Sequence, residues 1–411
     1  MILFDGKTYP SSEQDRLIGE LAPRLTAARE TPPDPEPLIR ALDTLAGRIA
    51  AGEYDALIDA LDLPDRDRMV REAVWMLQEE QLRRKMAVEL PPLPETPGLA
   101  KRRLPLGVLF HIAAGNLDVL PAYSVIEGLL AGNINILKLP GGDNGLTVRV
   151  LEELIALCPQ IRDYLYVFDT SSRDLEAMKA LAALAGGIVV WGGEEAVRAV
   201  RALAPANARI IEWGHKLSFA YLTPSYTDAD LTALAVHIRE TRQTLCSSAQ
   251  VIYLDTADMA EVLRFCERFL PVLDGIYGEN DLSHNGKMTL QSYTARLREA
   301  AGQSDGSRLF RGRNVLLTAS PDSRLEVSDM FGSIRVKPLP REQIVPVLAP
   351  HKSRLQTAGL AVREEDLVRR LALAGVTRIT SLASMSRPLP GENHDGTYAL
   401  AAYTRIVDVE E

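Results

Sequence analysis

The segment Arg242-Gln243-Thr244-Leu245-Cys246-Ser247-Ser248-Ala249-Gln250 closes a helix-like amphipathic run and opens onto the strand-like Val251-Ile252-Tyr253-Leu254. Cys246 is the candidate nucleophile. A thiol becomes reactive when a helix terminus, backbone donors or a nearby base stabilises its thiolate, and the small polar Ser247 and Ser248 leave room for a substrate to approach. The ordinary fate of a cysteine outside a disulfide is burial as a small hydrophobe. Cys158 and Cys266, set among Leu and Phe at helical spacing, fit that description.

Other polar residues stand at the ends of apolar runs. Glu212 ends Ile210-Ile211-Glu212, where it either pairs with a nearby Lys or Arg or serves as a general base with its pKa raised by burial. Asn116 follows the strand-like stretch ending at His111-Ile112, where it is either a turn former or an amide donor to an oxyanion, alongside the backbone N–H of Cys246. Gly192-Gly193 lies between a strand ending at Trp191 and a helix opening at Glu194-Glu195. Such a turn offers helix N-terminal amides to a pyrophosphate, and needs glycine on conformational grounds as well. Neither G-x-G-x-x-G nor G-x-x-x-x-G-K-[ST] occurs, so any dinucleotide is held by another loop. Gly302-Gln303-Ser304-Asp305-Gly306 matches G-x-S-x-G, but a helix-like run precedes it where a nucleophile elbow needs a strand, and the match is set aside.

The elements that would position these residues follow from periodicity. Residues 1–97 read as helices, at 12–29, 36–51 and 65–89, broken by the proline-rich 31–35 and 90–97. From Arg103 short apolar strands alternate with helices, the pattern of a mostly parallel sheet covered on both faces. Strands are expected at 106–112, 134–139, 164–168, 187–191 and 208–212, then at 219–222, 251–254, 315–319, 333–338 and 378–380. The domains expected are a helical N-terminal region (1–97), an α/β domain (98–218), a second α/β domain (219–380) and a tail (381–411). In that tail, an Ala/Tyr/Leu run has helical character.

Composition excludes several classes. The chain has 411 residues, 46% of them hydrophobic and 25% charged, which suits a soluble globular protein. A net charge of −9 leaves no electrostatic footprint for nucleic acid. The cysteines at 158, 246 and 266, without C-x-x-C, argue against a disulfide framework or a zinc site and for the reducing cytoplasm. No apolar run reaches the ~20 residues that span a bilayer.

In their order and spacing these pieces resemble the aldehyde dehydrogenase superfamily, specifically its acyl-CoA reductase (LuxC-type) branch, from about Leu104 to Asp395. Pro105-Leu106-Gly107-Val108 leading to Asn116 resembles the superfamily's strand and oxyanion-hole Asn. Leu137-Lys138-Leu139-Pro140 resembles its cofactor-binding Lys segment, Gly192-Gly193-Glu194 its nicotinamide-side turn, and Ile211-Glu212-Trp213-Gly214 its Glu-containing strand end. Cys246 follows Glu212 by 34 residues, a similar separation to the superfamily's. Asp329-Met330-Phe331-Gly332 resembles the acidic-x-Phe-Gly motif whose acidic residue binds the nicotinamide ribose. Trp213-Gly214-His215-Lys216-Leu217-Ser218, Gln243-x-x-Cys246-Ser247-x-x-Gln250 and His394-Asp395-Gly396 resemble the reductase branch. Ala249 stands where that branch has Pro, and residues 1–97 match only loosely.

The resemblance implies an aldehyde dehydrogenase-like fold with a cofactor domain, a catalytic domain and a homo-oligomer. It implies NADPH-dependent reduction of an acyl-CoA or acyl-carrier thioester to the aldehyde through acyl-Cys246. Asn116 would hold the oxyanion and Glu212 assist proton transfer, while Lys138, Gly192, Gly193, Asp329 and Phe331 would hold the cofactor. No carboxylate follows Lys138 before Asp143, which favours NADPH over NADH because a carboxylate there would repel a 2′-phosphate. Three alternatives keep parts of this reading. One is an NAD(P)-dependent aldehyde dehydrogenase in which Glu212 activates water. Another is a reductase of an acyl phosphate, and the third is a non-catalytic partner subunit of a fatty-acid-processing complex.

Overall fold

The computed structural model describes residues 1–61, 63, 65–113, 120–278 and 306–410. It divides into two compact units, one made of residues 1–61, 66–214 and 388–411, the other of residues 62–65 and 215–387.

In the first unit the chain runs β1 (Ile2–Phe4), β2 (Lys7–Tyr9), α1 (Gln14–Ala28), α2 (Pro35–Ala50), α3 (Asp55–Ile58), α4 (Arg66–Leu77), α5 (Glu79–Glu89) and β3 (Leu99–Pro105). It continues β4 (Val108–Ile112), α6 (Leu120–Leu130), β5 (Ile134–Lys138), α7 (Leu146–Leu157), β6 (Leu165–Phe168), α8 (Leu175–Ala183), β7 (Gly187–Trp191), α9 (Glu194–Leu203) and β8 (Arg209–Trp213). The sheet order is β2-β1-β6-β5-β4-β7-β8, with the strands from β6 to β8 parallel. The strand order reverses between β4 and β7, and in open α/β sheets ligands gather outside the carboxyl ends at such a point.

An all-helical N-terminus is not what the chain forms. β1 and β2 make an antiparallel hairpin through Asp5-Gly6, both at positive φ (53° and 67°), and β1 adds to the edge of β6. Asp-Gly is the pair that a two-residue hairpin turn favours. The expected helix over 65–89 is two helices parted at Gln78, whose backbone is extended. α2 is capped by the Asp34 carboxylate, which accepts from the Glu36 N–H at 3.0 Å, with Pro35 at the first helical position.

The second unit contains β9 (Leu217–Leu222), α10 (Asp228–Thr241), β10 (Ala249–Leu254), α11 (Met259–Ile276), β11 (Arg308–Arg311), β12 (Leu316–Ala319) and β13 (Ser333–Pro338). After them come α12 (Ile344–Leu348), β14 (Leu355–Leu360), α13 (Glu365–Ala374) and β15 (Arg378–Ser381). Its sheet runs β11-β12-β13-β10-β9-β14-β15, parallel except for β11. A capping box between Thr227 and Asp230 starts α10. Apolar clusters line both faces of this sheet, one around Phe265 and Phe269, the other around Phe219 and Tyr253. The chain then returns to the first unit with α14 (Ala399–Ala402) and β16 (Thr404–Glu410), which pairs antiparallel with β3 along seven residues. The helix expected in the tail is thus one turn followed by a strand. The two doubly wound α/β units are the expected fold class.

The first unit's core carries one polar chain. His111 on β4 is fully buried, with Nδ1 2.7 Å from Ser124 Oγ and Nε2 3.0 Å from Asn135 Oδ1. Asn135 Nδ2 donates to the Asn133 carbonyl, and Trp191 Nε1 donates to Ser124 Oγ. These partners assign a neutral imidazole with its proton on Nε2, accepting at Nδ1 from the Ser124 hydroxyl. α6 lies so close here that a Cβ at Gly128 would fall 1.8 Å from Asn135 Oδ1.

Burial lowers the His111 pKa from 6.5 to about 4, so the folded state keeps this ring neutral while the unfolded chain protonates it near 6.5. Stability from this group is intact above about pH 6.5 and is lost as the pH falls toward 4, by up to about 3 kcal/mol. Denaturant titrations at pH 7 and pH 4.5 should show a smaller acid-induced loss in His111→Gln than in the wild type. Equal losses would exclude His111 as the source.

Candidate functional site

Of the three cysteines only Cys246 is exposed. Burial raises the Cys158 pKa and pushes Cys266 up to about 12, so both are poor nucleophiles at neutral pH. Cys246 sits in the turn between α10 and β10. The Leu245 N–H donates to Ser248 Oγ (3.1 Å) and the Ser248 N–H to the Leu245 carbonyl (2.9 Å), closing a loop with Cys246 and Ser247 at its outer corners. The Cys246 carbonyl accepts from Ser218 Oγ at 2.7 Å, and that oxygen also accepts the Thr357 N–H at 3.0 Å. The thiol is not at a helix N-terminus, since α10 ends before it and β10 begins after it.

Two left-handed kinks hold this loop. Arg242 and Gln243 have φ of 46° and 61°, and Met330, Phe331 and Gly332 have φ of 61°, 49° and 81°. Each non-glycine residue in that region costs on the order of 1–3 kcal/mol and persists only where its surroundings fix it. Here the fixing groups are two buried glutamines. Gln243 Nε2 donates to the carbonyls of Ala249 and Ser333 and to Ser328 Oγ, while its Oε1 accepts the Gly332 N–H at 3.1 Å. Gln250 Nε2 donates to the Gln243 carbonyl (2.9 Å), and its Oε1 accepts from the N–H and hydroxyl of Ser328. The Phe331 N–H donates to the Arg242 carbonyl, tying the kinks directly. Gln243 and Gln250 were visible as spaced residues around Cys246. Ser328 carried no signal, because its role depends on a partner 78 residues away.

Asp329 and Phe331 lie on this second kink. Phe331 packs against the apolar cluster on one sheet face, and the Asp329 carboxylate is 3.4 Å from Arg335 Nη2.

In the first unit, Lys138 ends β5 and is 5% exposed, with no hydrogen-bond or ion-pair partner among the described residues. Burial lowers its pKa. A buried ammonium at the carboxyl edge of a parallel sheet needs acceptor oxygens, which a ribose or phosphate supplies. The nearest following carboxylate, Asp143, is occupied by its own helix start, accepting from the Gly145 N–H (2.8 Å) and Thr147 Oγ1 (2.6 Å). Gly193 precedes α9 with open space where a Cβ would be, which admits a flat ligand, but Glu194 and Glu195 in the first turn oppose a phosphate there. Lys138 and the Gly192-Gly193 turn therefore fit the sugar and the ring of a dinucleotide better than its pyrophosphate.

Glu212 does not have the burial expected of a raised-pKa base. Its carboxylate accepts from Arg201 Nε at 2.6 Å, and the two side chains are 29% and 63% exposed. Asn116 lies outside the described residues, as do Gly302 to Asp305.

The family model for acyl-CoA reductase (LuxC) matches residues 66–406. The chain belongs to that family. Similar to this LuxC-family chain is the long-chain acyl-protein thioester reductase 2 of Photobacterium leiognathi, 25% identical over 332 residues, which cover 75% of this chain and 65% of that one. The long-chain acyl-protein thioester reductase of Aliivibrio fischeri is 23% identical over 325 residues, covering 74% and 64%. The chain thus spans slightly less than two thirds of the length of these relatives. Among solved structures, a putative aldehyde dehydrogenase from Burkholderia cenocepacia superposes with a TM-score of 0.76 at 16% identity, covering 100% of this chain and 96% of that one. A putative methylmalonate-semialdehyde dehydrogenase from Sinorhizobium meliloti, complexed with NAD, superposes with a TM-score of 0.72 at 15% identity, covering 99% and 96%. The fold is that of the aldehyde dehydrogenases. Among the described residues no helix is long and apolar enough to cross a membrane, and no group of three or more His, Cys, Asp or Glu is arranged to hold a metal ion.

Two outcomes follow from this geometry. Native alkylation with iodoacetamide, mapped by mass spectrometry, should label Cys246 at least ~100-fold faster than Cys158 or Cys266, because the buried thiols have few thiolates. Gln243→Ala leaves the Gly332 N–H and the Ala249 and Ser333 carbonyls without that amide, and should cost about 2–3 kcal/mol in denaturant titration.

Proposed function

We propose that this chain reduces an acyl thioester, carried on CoA or on a carrier protein, to the aldehyde through a covalent acyl-Cys246 intermediate with NADPH as reductant. The observation that carries the reading is the display of one exposed thiol on a loop fixed by buried glutamines, in a member of the acyl-CoA reductase (LuxC) family.

In the first half-reaction Cys246 Sγ bonds to the thioester carbonyl carbon, the carbon–sulfur bond to the carrier breaks, and the thiol proton leaves with the carrier thiol. Asn116 and the Cys246 N–H are the proposed donors to the oxyanion. A reduced nicotinamide, when bound, supplies the hydride that an acyl-enzyme needs to leave as aldehyde. Lys138 would hold its adenosine-side ribose, and Asp329 the nicotinamide-side ribose by sharing the carboxylate with Arg335. The occupation of Asp143 by its own helix start supports NADPH over NADH.

The hydrolytic dehydrogenase needs a carboxylate to activate water. The Glu212–Arg201 ion pair supports the reductase reading instead, because a carboxylate oxygen already engaged by the guanidinium is not free to hold a water.

The test is NADPH consumption with acyl-CoAs of increasing length. Wild type should release one carrier thiol per NADPH oxidised, Cys246→Ala should fall by ~10³-fold or more, and Glu212→Gln should stay within about 3-fold. Reduction of NAD(P)⁺ by free aldehydes without any thioester turnover would replace the proposal with the hydrolytic dehydrogenase.

A further inference from the structure

Ser247 follows the nucleophile directly and takes no part in the steps above. Its Oγ lies 2.8 Å from Ser386 Oγ, 139 residues further along the same unit. Either hydroxyl can donate in this bond, and among the described residues neither has a second hydrogen-bond partner.

Ser386 is presented by a turn that is itself firmly held. Arg378, at the start of β15, donates to three carbonyls of that turn, those of Ser384 (3.2 Å), Met385 (2.5 Å) and Arg387 (2.6 Å). One planar guanidinium with several fixed donors is suited to such a clamp. Leu382 and Met385 are 1% and 0% exposed and belong to the same apolar cluster as Leu234 and Ile238 of α10, the helix that leads into the thiol loop. Met385 lies so close over β14 that a Cβ at Gly359 would collide with its Sδ, so the turn cannot settle on the sheet unless that position is glycine.

The thiol loop is thus gripped from two sides. Gln243 and Gln250 fix its roots, and Ser218 takes the Cys246 carbonyl from beneath. The outer corner at Ser247 has Ser386. A part-exposed bond between two hydroxyls adds little to global stability, because water replaces it readily. Its effect on geometry is another matter, since displacing a reacting atom by about 1 Å can cost on the order of 100-fold in rate. A clamped and buried turn that delivers one hydroxyl to the residue after the nucleophile is better suited to placing the thiol than to holding the fold together.

We propose that Ser386 is a positioning residue for Cys246, acting through the Ser247 hydroxyl. The proposal rests on the thioester reductase reading, and it adds to that reaction a residue from the far end of the second unit.

The first experiment needs no turnover. The amides of Leu245 and Ser248 close the thiol loop, so their hydrogen exchange, read residue by residue, reports its opening. Exchange at both should speed up about 5-fold in Ser386→Ala and return to the wild-type rate in Ser386→Thr, while the Gly332 amide, held by Gln243, stays unchanged. Unaltered exchange at Leu245 and Ser248 in Ser386→Ala overturns the proposal.

The second experiment is a double-mutant cycle on thioester reduction. Ser386→Ala and Ser247→Ala should each lower kcat about 10-fold with KM for NADPH within 2-fold, and the double variant should fall no further than either. Ser386→Thr, which keeps the hydroxyl, should recover most of kcat. Losses that multiply in the double variant, or a kcat that Ser386→Ala leaves intact, overturn the proposal. Exchange that responds as expected in a protein that reduces no thioester would sink the reductase reading and leave the Ser386 contact standing as the tie that orders the thiol loop. Thioester reduction that is indifferent to Ser386 would do the reverse.

Discussion

The Gln243 side chain fixes the position of the reactive loop. It makes hydrogen bonds from both ends of its amide, to the first residues of β10 and β13 and to Ser328 and Gly332 on the second kink. Two successive left-handed residues after α10 would otherwise relax, and with them the turn that carries Cys246 to the surface. Gln250 repeats the arrangement from the strand side, and Ser328 is the one residue that both glutamines contact. The consequence is that the Asp329-Phe331 segment cannot shift without the thiol loop shifting too. A nucleophile on a loop is usually less well placed than one on a strand. Here buried amides supply the rigidity that regular backbone would have given.

The first unit uses its buried polar groups differently. Trp191, Ser124, His111 and Asn135 form a chain in which both imidazole nitrogens, the Ser124 hydroxyl and the Asn135 carbonyl oxygen have partners, so this part of the core is polar but satisfied. Lys138 stands outside that chain, nearly buried at the carboxyl end of β5 and with no hydrogen-bond or ion-pair partner among the described residues. Buried polar groups in native proteins are satisfied far more often than not. An exception at the carboxyl edge of a parallel sheet is better read as half of an interaction than as a defect, and on that ground Lys138 is proposed to meet a cofactor.

The parallel strands were legible because both faces are covered, so they appear as unbroken apolar runs such as Ile188-Val189-Val190. β7 and β13 fall where periodicity alone sets them. What periodicity hides is pairing at a distance. The Asp5-Gly6 hairpin carries a local signal, yet its strands have three residues each, and β1 is held by β6, where Leu3 pairs with Val167, 164 residues later. β3 and β16 are half-exposed ribbons with charged residues throughout, and each looks like loop until the other is beside it. At the site, Cys246, Gln243 and Gln250 were legible as types at a spacing. The buried Lys85–Glu89 pair was not, because an i, i+4 array of charged residues on an amphipathic helix reads as a solvated face. Only the return of the chain through residues 388–400 turns that face inward.

The pairing of Glu212 with Arg201 bears on which way an acyl-enzyme would go. Hydrolysis needs a base placed to take a proton from water, and a carboxylate whose oxygen is engaged by a guanidinium is poorly placed for that. Thioester exchange makes no such demand, since the leaving thiol is a better acid than water by several pKa units and departs with little help. On the proposed reading, an acyl-enzyme on Cys246 would therefore favour exchange and reduction, and an aldehyde would not be carried on to the acid. In this argument the ion pair has a role of its own. In the proposed reaction, Arg201 would hold the carboxylate of β8 away from a water.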